Sequence, residues 1–182
     1  MTIFTFNEQQ SIGEVRSVET SRITIRVTDG QRLQKARVGR LVAIQATGDE
    51  WLIGIVERVW RHPVELPTLD EGEVAEGAAA IQQEENGVAI SLVGTYRARD
   101  GQRHNTFSRA VFALPEINRP VYPIEEKSLE DFMGILSASS KADAATPLKV
   151  GTYTLDGKAS AYIDGDKLFQ RHAALLGSTG SG

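Results

Sequence analysis

The last six residues are the part of the sequence whose residue types and spacing could carry out chemistry. They fit the pattern G-x-x-x-x-G, the first six positions of a phosphate-binding loop, and are Gly177, Ser178, Thr179, Gly180, Ser181 and Gly182. Glycine suits this loop because the chain must turn tightly enough for successive backbone N–H groups to point at one phosphate. The pattern therefore predicts that these six residues bind the phosphates of a nucleotide.

Two other interpretations of this segment stay open on residue types alone. A Gly/Ser-rich run is also typical of a flexible linker or cloning scar, or of a disordered tail. The preceding residues 173–176, Ala-Ala-Leu-Leu, favour the loop, because a buried strand leading directly into it is the context of a phosphate-binding loop. The complete motif continues with Lys and then Ser or Thr, which do not follow here. The chain by itself is therefore not expected to hydrolyse ATP.

Composition excludes several other kinds of site. The sequence has no cysteine, which rules out a disulfide framework, a zinc knuckle and a thiol nucleophile. Its three histidines, His62, His104 and His172, lie far apart, so we predict no metal ligands and no catalytic residues. A complete small enzyme is the least favoured class, because no nucleophile and base are paired near any histidine.

Charge and hydropathy narrow the class of protein further. With 20 Lys and Arg against 24 Asp and Glu, the net charge of -4 argues against a surface devoted wholly to nucleic acid, although a local basic patch is compatible with it. No basic segment followed by a long apolar run opens the sequence, and no window approaches 18 apolar residues. We therefore expect a cytoplasmic protein with no membrane contact.

The first hundred residues have the pattern of β-strands. Residues 22–28 alternate apolar and polar side chains, which indicates a half-buried antiparallel strand. Residues 38–45 and 51–60 are rich in β-branched and aromatic side chains, and Thr47-Gly48-Asp49 between them suits a hairpin. Gly54 interrupts the second run, which predicts a bulge of the kind that a small barrel needs to close.

The middle of the chain is predicted from its turn residues. Asn86-Gly87 is a strong two-residue hairpin signal, with residues 88–93 as the returning strand. Residues 107–114 predict a further strand. Because prolines flank Val121-Tyr122, we expect residues 115–123 to be an extended connector rather than an interior strand.

The last third changes character. Ser128 is predicted to cap a short helix whose apolar side chains form one stripe, and residues 137–147 have the small, polar composition of a linker. Two strand-like segments follow, which are expected to turn at Asp156-Gly157 and at Asp164-Gly165.

An acidic stretch runs from Val64 to Tyr96. It contains seven Asp and Glu residues and no Lys or Arg. A solvated loop or hairpin insertion is the favoured interpretation, and a docking face for a basic partner is the alternative.

Beyond composition, the sequence resembles a known family. Arg171-His172 followed by the residues 173–182 is similar to the entry of the phosphate-binding loop in the HerA/FtsK superfamily, specifically the HerA-like hexameric DNA translocases. Residues 12–15, 38–44 and 52–56 resemble the small N-terminal β-barrel of that family, the HAS barrel. Residues 107–110, 114–115 and 120–122 resemble the exit from that barrel. The order of these pieces is more specific than any one of them.

The resemblance implies a mainly β fold in three parts. Residues 1–124 would form a small closed antiparallel HAS-like barrel, residues 125–147 a helix and linker, and residues 148–182 the first strands of a RecA-like α/β core, cut within the Walker A motif. The implied function is that of the oligomerisation and partner-docking barrel of an ATP-dependent DNA translocase or helicase. In the family such a protein is a hexamer on double-stranded DNA that acts with a nuclease or a defence effector. ATP and magnesium would bind the parent protein, with neither bound to this chain.

An alternative function is a barrel of the OB type that binds single-stranded nucleic acid. Four arginines with two aromatic residues among them favour it, because such barrels combine basic and stacking side chains; they are Arg97, Arg99, Arg103 and Arg109 with Tyr96 and Phe107. A solvated hairpin near Asp100-Gly101 explains the same residues. Trp51 and Trp60 are interpreted as packing residues rather than as interface contacts.

Overall fold

The computed structural model describes residues 2–64, 84–98, 105–137 and 147–170, together with Ala174 and Gly180. The strands are β1 (Gly13–Val18), β2 (Arg22–Val27), β3 (Leu41–Gln45), β4 (Glu50–Pro63), β5 (Glu84–Arg97), β6 (Thr106–Ser108), β7 (Pro120–Pro123), β8 (Pro147–Tyr153) and β9 (Asp156–Asp164). The helices are α1 (Gly30–Lys35), α2 (Glu126–Ser137) and α3 (Gly165–Phe169), with a short 3-10 helix at Glu8–Gln10.

Six strands close into an antiparallel barrel. Their order is β2-β1-β7-β3-β4-β5, and β5 pairs back onto β2 to complete the ring. The short strand β6 adds to the far end of β5, and β8 and β9 form a separate hairpin. The predicted mainly β fold with a closed barrel, a short helix and the strands that follow it is therefore confirmed.

The barrel interior follows from period-two alternation. On β2 the side chains of Ile23, Ile25 and Val27 are buried, whereas Arg22 and Arg26, on the opposite face of the strand, are exposed. Equivalent positions on the other strands fill the same interior, and α1 places Ala36 and Leu33 against it. Burying aliphatic side chains from six strands at one centre is what holds a barrel of this size closed.

A second apolar core covers part of the outside of the barrel. Ala43, Ile53 and Tyr96 alternate with inward-facing neighbours yet are fully buried. Helix α2 covers them with Leu129 and Phe132, and the N-terminal arm and β9 complete the cluster with Phe4 and Ala159. Strands buried on both faces read as continuous apolar runs, which explains why residues 41–46 and 51–56 lack clean alternation.

Gly54 is required by this packing. A Cβ atom at this position would lie 2.4 Å from Cγ2 of Ile90 inside the barrel and 3.1 Å from the carbonyl oxygen of Ser91. The pairing of β4 with β5 shifts register between Ile53 and Gly54. The bulge predicted at Gly54 is therefore present.

Two predictions from turn residues were wrong. Asn86-Gly87 is not a hairpin turn but lies inside β5, where Gly87 pairs with both Arg26 and Trp60. The glycine is needed there because the Trp60 ring lies over it, and a Cβ atom would be 2.2 Å from Cζ2 of that ring.

The second error concerns the proline-rich segment. Pro120–Pro123 is an interior strand that pairs with β1 and β3, not a connector. The two prolines, which lack an N–H group, occupy the ends of this strand. Val121 and Tyr122 between them keep their N–H groups and pair with β3.

Boundaries of three other elements differ from prediction. Helix α2 begins at Glu126 rather than after Ser128, because the Asp156 carboxylate binds the Glu126 N–H from another element. The last hairpin turns at Thr154-Leu155, so that Asp156 already pairs with Tyr153. Strand β6 ends at Ser108 and does not continue to residue 114 as predicted. Two residues later, the carbonyl oxygen of Ala110 accepts a hydrogen bond from the Thr95 hydroxyl instead of from a strand partner. Residues 65–83 of the acidic stretch and the linker at 138–146 lie outside the described residues.

Replacing Gly54 by alanine tests the close approach inside the barrel. We expect Gly54→Ala to lower the free energy of unfolding by about 1–3 kcal/mol, because the new methyl overlaps Ile90 in a packed core. Chemical denaturation measures the change. The matched control is Gly134→Ala in α2, where a Cβ meets nothing within 4 Å and helix propensity favours alanine by up to about 1 kcal/mol. A Gly54→Ala variant that is as stable as the wild type, or no less stable than Gly134→Ala, would contradict the packing described here.

Alkaline pH tests the second core. Burial raises the pKa of Tyr96 above its ordinary value near 10. The unfolded chain therefore loses this proton first, and stability falls as pH rises above about 10. We expect Tyr96→Phe to make that fall shallower, while at neutral pH it costs about 1 kcal/mol because the Ile3 N–H loses its acceptor. An unchanged pH slope in thermal unfolding would show that Tyr96 does not contribute.

Candidate nucleotide site and its attachment to the barrel

The predicted phosphate-binding loop is described at one position. Gly180 has φ of 82°, is exposed, and has open space where a Cβ would stand. This left-handed backbone is readily adopted only by glycine, as a tightly turned loop requires. The other five predicted positions, Gly177, Ser178, Thr179, Ser181 and Gly182, lie outside the described residues. Of the apolar run that precedes them only Ala174 is described, and it is exposed and outside any strand.

The β8–β9 hairpin and α3 lead toward this segment. Strand β9 pairs with β8 along its length and ends at Asp164, where α3 begins at Gly165. Phe169 at the end of α3 is 78% exposed. Among the described residues, the hairpin is therefore the last paired element before the candidate loop.

Apolar packing joins the hairpin to the barrel through α2. Ala159 on β9 is fully buried in the second core, and Tyr153 on β8 packs against the same cluster. Phe132 of α2 is 1% exposed and lies at the centre of that cluster, 6.1 Å from the Phe4 ring centroid. Because α2 lies against both the barrel wall and β9, the three are packed as one body.

Arg40 adds a polar connection between the same parts. Its side chain, 11% exposed, forms an ion pair with Glu125 just before α2. It also donates to the carbonyl oxygen of Lys35 at 3.0 Å and to that of Leu155 in the hairpin turn at 3.4 Å. Arg40 therefore contacts the barrel, the start of α2 and the hairpin turn at once.

Asp156 and Lys158 continue this connection on β9. The Asp156 carboxylate accepts from the backbone N–H of Glu126, and Lys158 forms an ion pair with the Glu126 side chain. The hydrogen bond and charge of Glu126 raise the pKa of Lys158. Since Glu126 has φ of 48°, an uncommon conformation for a residue with a side chain, these contacts from β9 fix the backbone where α2 begins. We name Arg40, Glu125, Glu126, Asp156 and Lys158 the clasp.

Within the described ranges, no group of three or more His, Asp or Glu side chains is placed to hold a metal ion. No helix in the same part of the chain is long and apolar enough to cross a membrane. What the described residues show here is how the second core and the clasp hold the hairpin that precedes the candidate loop.

Of the residues considered for a nucleic-acid face of the OB type, Tyr96 and Phe107 stand opposite each other on β5 and β6, but both pack into the second core rather than forming an exposed surface. Tyr96 is fully buried in the second core, and Phe107 packs edge-on against Phe132 with ring centroids 5.4 Å apart. Arg97 forms an ion pair with Glu50 at 2.7 Å and lies over the Phe112 ring. Arg109 is exposed. Arg99, Arg103 and the turn at residues 100–101 lie outside the described residues.

The two tryptophans occupy different surroundings. Trp51 packs in an aromatic cluster with Phe4, Phe6 and Tyr122, as the packing interpretation predicts. Trp60 lies on the outer surface of the barrel, partly exposed, over Gly87.

Comparison with known families agrees with this arrangement. Residues 148–182 match the family model described as the central domain of helicase HerA. The match begins one residue into the hairpin that the clasp holds, and the closed barrel precedes it. Together they fit a HerA-like fragment. A comparison with curated proteins gave no match.

Sequence reasoning missed the clasp. Arg40 and Glu125 are 85 residues apart, and Glu126 and Asp156 are 30 apart. No local spacing signals such a pair. The one available signal was Asp156-Gly157, whose aspartate was assigned to a turn although its carboxylate serves as a helix cap.

Replacing Arg40 by methionine tests the clasp. The variant keeps the length of the side chain but leaves Glu125 without its cation, and we expect about 1–3 kcal/mol of lost stability, local to the hairpin. Hydrogen exchange of residues 153–158 measures it, with faster exchange expected in Arg40→Met. The control is Arg119→Met, which removes an exposed pair with Glu116 three residues away. Unchanged exchange in Arg40→Met would show that apolar packing alone holds the hairpin.

Proposed function

We propose that this chain is the N-terminal oligomerisation and partner-docking barrel of an ATP-dependent HerA-type DNA translocase, together with the start of its ATPase core. The observation that carries the proposal is a closed barrel firmly joined to a hairpin at which the match to the HerA central domain begins. A joint of this kind lets a ring of barrels and a ring of ATPase cores act as one assembly.

The nucleotide site of the proposal is the loop of residues 177–182. The backbone N–H groups of these residues would donate to phosphate oxygens of ATP, and the left-handed backbone of Gly180 fits such a loop. ATP with magnesium would supply the energy for translocation, through transfer of its terminal phosphoryl group to water. The hydroxyl that holds magnesium in the motif follows the lysine, so no residue of this chain is assigned to the metal.

The barrel would supply the contacts to other subunits and to a partner. Phe112, Leu114 and Ile117 are each at least half exposed on the segment between β6 and β7. Exposed apolar side chains so close together are typical of protein interfaces. We propose a hexamer on double-stranded DNA whose barrel docks a nuclease or a defence effector in the cytoplasm.

The test is nucleotide binding and hydrolysis by the full-length protein. We expect DNA-dependent ATP hydrolysis, and a loss of nucleotide affinity of about tenfold or more in Gly180→Val, because a β-branched residue is strained at φ of 82°. The matched control is Gly151→Val in β8, where a Cβ meets nothing within 4 Å and a strand favours valine.

Light scattering of the same protein measures its assembly, with a hexamer expected. An unchanged nucleotide affinity in Gly180→Val would contradict the assigned loop. A full-length protein that neither hydrolyses ATP nor assembles would contradict the translocase function as a whole.

A further inference from the structure

The outer wall of the barrel has two unlike halves. One half lies under α2, the N-terminal arm and β9 and forms the second core. On the other half, formed by β1, β2 and the paired parts of β4 and β5, the outward side chains include four exposed arginines and one tryptophan. We name this set the arginine face: Arg16, Arg22, Arg26, Arg58 and Trp60.

Strand register places these side chains in rows across the sheet. Arg26 and Trp60 both stand opposite Gly87, one from β2 and one from β4. In the next row Thr24 and Arg58 stand on either side of Ala89. Strand β5, which lies between β2 and β4, carries the small residues Gly87 and Ala89 in these rows. The longer side chains of β2 and β4 therefore project on each side of β5.

Trp60 presents a flat aromatic surface in this face. Its ring lies against the backbone at Gly87, where the space for a Cβ is filled by the indole. The guanidinium of Arg58 lies over the ring, 5.2 Å from its centroid. A nucleic-acid base that stacks on a partly exposed indole would take the place of this guanidinium, which would then be free to bind phosphate.

The charges of the face are available to an anionic ligand. Arg16 and Arg58 have no carboxylate within ion-pair distance among the described residues. Arg22 pairs with Glu57 at 3.1 Å and Arg26 with Glu14 at 4.0 Å, and the side chains of both pairs are about half exposed. Exposed pairs of this kind are weak, so phosphates can take the place of the two carboxylates.

We propose that the arginine face binds single-stranded nucleic acid, with phosphates at the arginines and a base stacked on Trp60. Arg22 and Arg26 are four residues apart on β2, about 13 Å along the strand. The face is therefore shorter than the sites of about 4–16 nucleotides that OB barrels use. Binding is sequence-tolerant and falls steeply with salt. It does not depend on the proposed function, because no residue of the face belongs to the loop at residues 177–182 or to the clasp.

The first experiment measures the contribution of the arginines to the affinity for single-stranded DNA. A fluorescently labelled oligothymidine of about 15 nucleotides is titrated with the whole chain at low and moderate salt, and its anisotropy is recorded. We expect an affinity in the range of about 10⁻⁴–10⁻⁶ M. In Arg26→Ala/Arg58→Ala the affinity falls about tenfold or more and the salt slope falls by about two. The control is Arg119→Ala, which removes an exposed arginine at the start of β7. No binding, or equal loss in the variant and the control, overturns the proposal.

The second experiment measures stacking, and uses the fact that the sequence has two tryptophans. We expect oligothymidine to quench the fluorescence of the wild type and of Trp51→Phe, but not that of Trp60→Phe. Thermal unfolding of each variant confirms that it is folded. Quenching that persists in Trp60→Phe overturns the stacked base. Equal affinity for duplex DNA overturns the preference for single strands. Equal competition by polyglutamate would assign the face to an acidic protein segment instead.

Discussion

Burial of one part of the barrel wall on both of its faces is the constraint on which the rest of this structure depends. Ala43, Ile53 and Tyr96 point away from the barrel interior and must still be covered. Phe4 and Phe132 cover them, and each fully buried side chain of that size contributes about 1.5–3 kcal/mol. Of the clasp ion pairs, that of Lys158 with Glu126 is exposed and contributes less. Apolar packing therefore holds α2 and the hairpin to the barrel, and the clasp sets where the hairpin turn lies.

The same constraint divides the outer surface electrostatically. Elements that cover one half of the wall exclude charge from it, so the outward arginines of β1, β2 and β4 are confined to the other half. A net charge of -4 conceals this division because it averages over all faces. The arginine face and the clasp thus belong to separate parts of the molecule, and the second core lies between the barrel wall and the hairpin.

Much of the barrel was predictable because one side of each strand faces one interior. The alternation of β2 and the interruption at Gly54 are both local consequences of that packing. The hairpin predicted at Asn86-Gly87 was wrong because the same dipeptide occurs in turns and, as here, inside a strand where a tryptophan ring lies over the glycine. The partner, Trp60, lies 27 residues before Gly87 in the chain, and only the folded register brings the two together. Likewise, a proline prevents strand formation only where its N–H group would have to donate a hydrogen bond, and Pro120 and Pro123 lie at the ends of β7, where no such bond is required.

The candidate site divides in the same way between local and distant signals. A glycine-rich loop is recognisable because its chemistry resides in the backbone of six consecutive residues, and the conformation of Gly180 agrees with it. The clasp resides in pairs of side chains from separate elements, and charged residues are too common in this sequence for any pair to stand out. Its members become recognisable only once α2 is seen to begin at a residue capped from β9. For this reason the candidate loop can be proposed from sequence, whereas the means of holding the preceding hairpin to the barrel follows only from the fold.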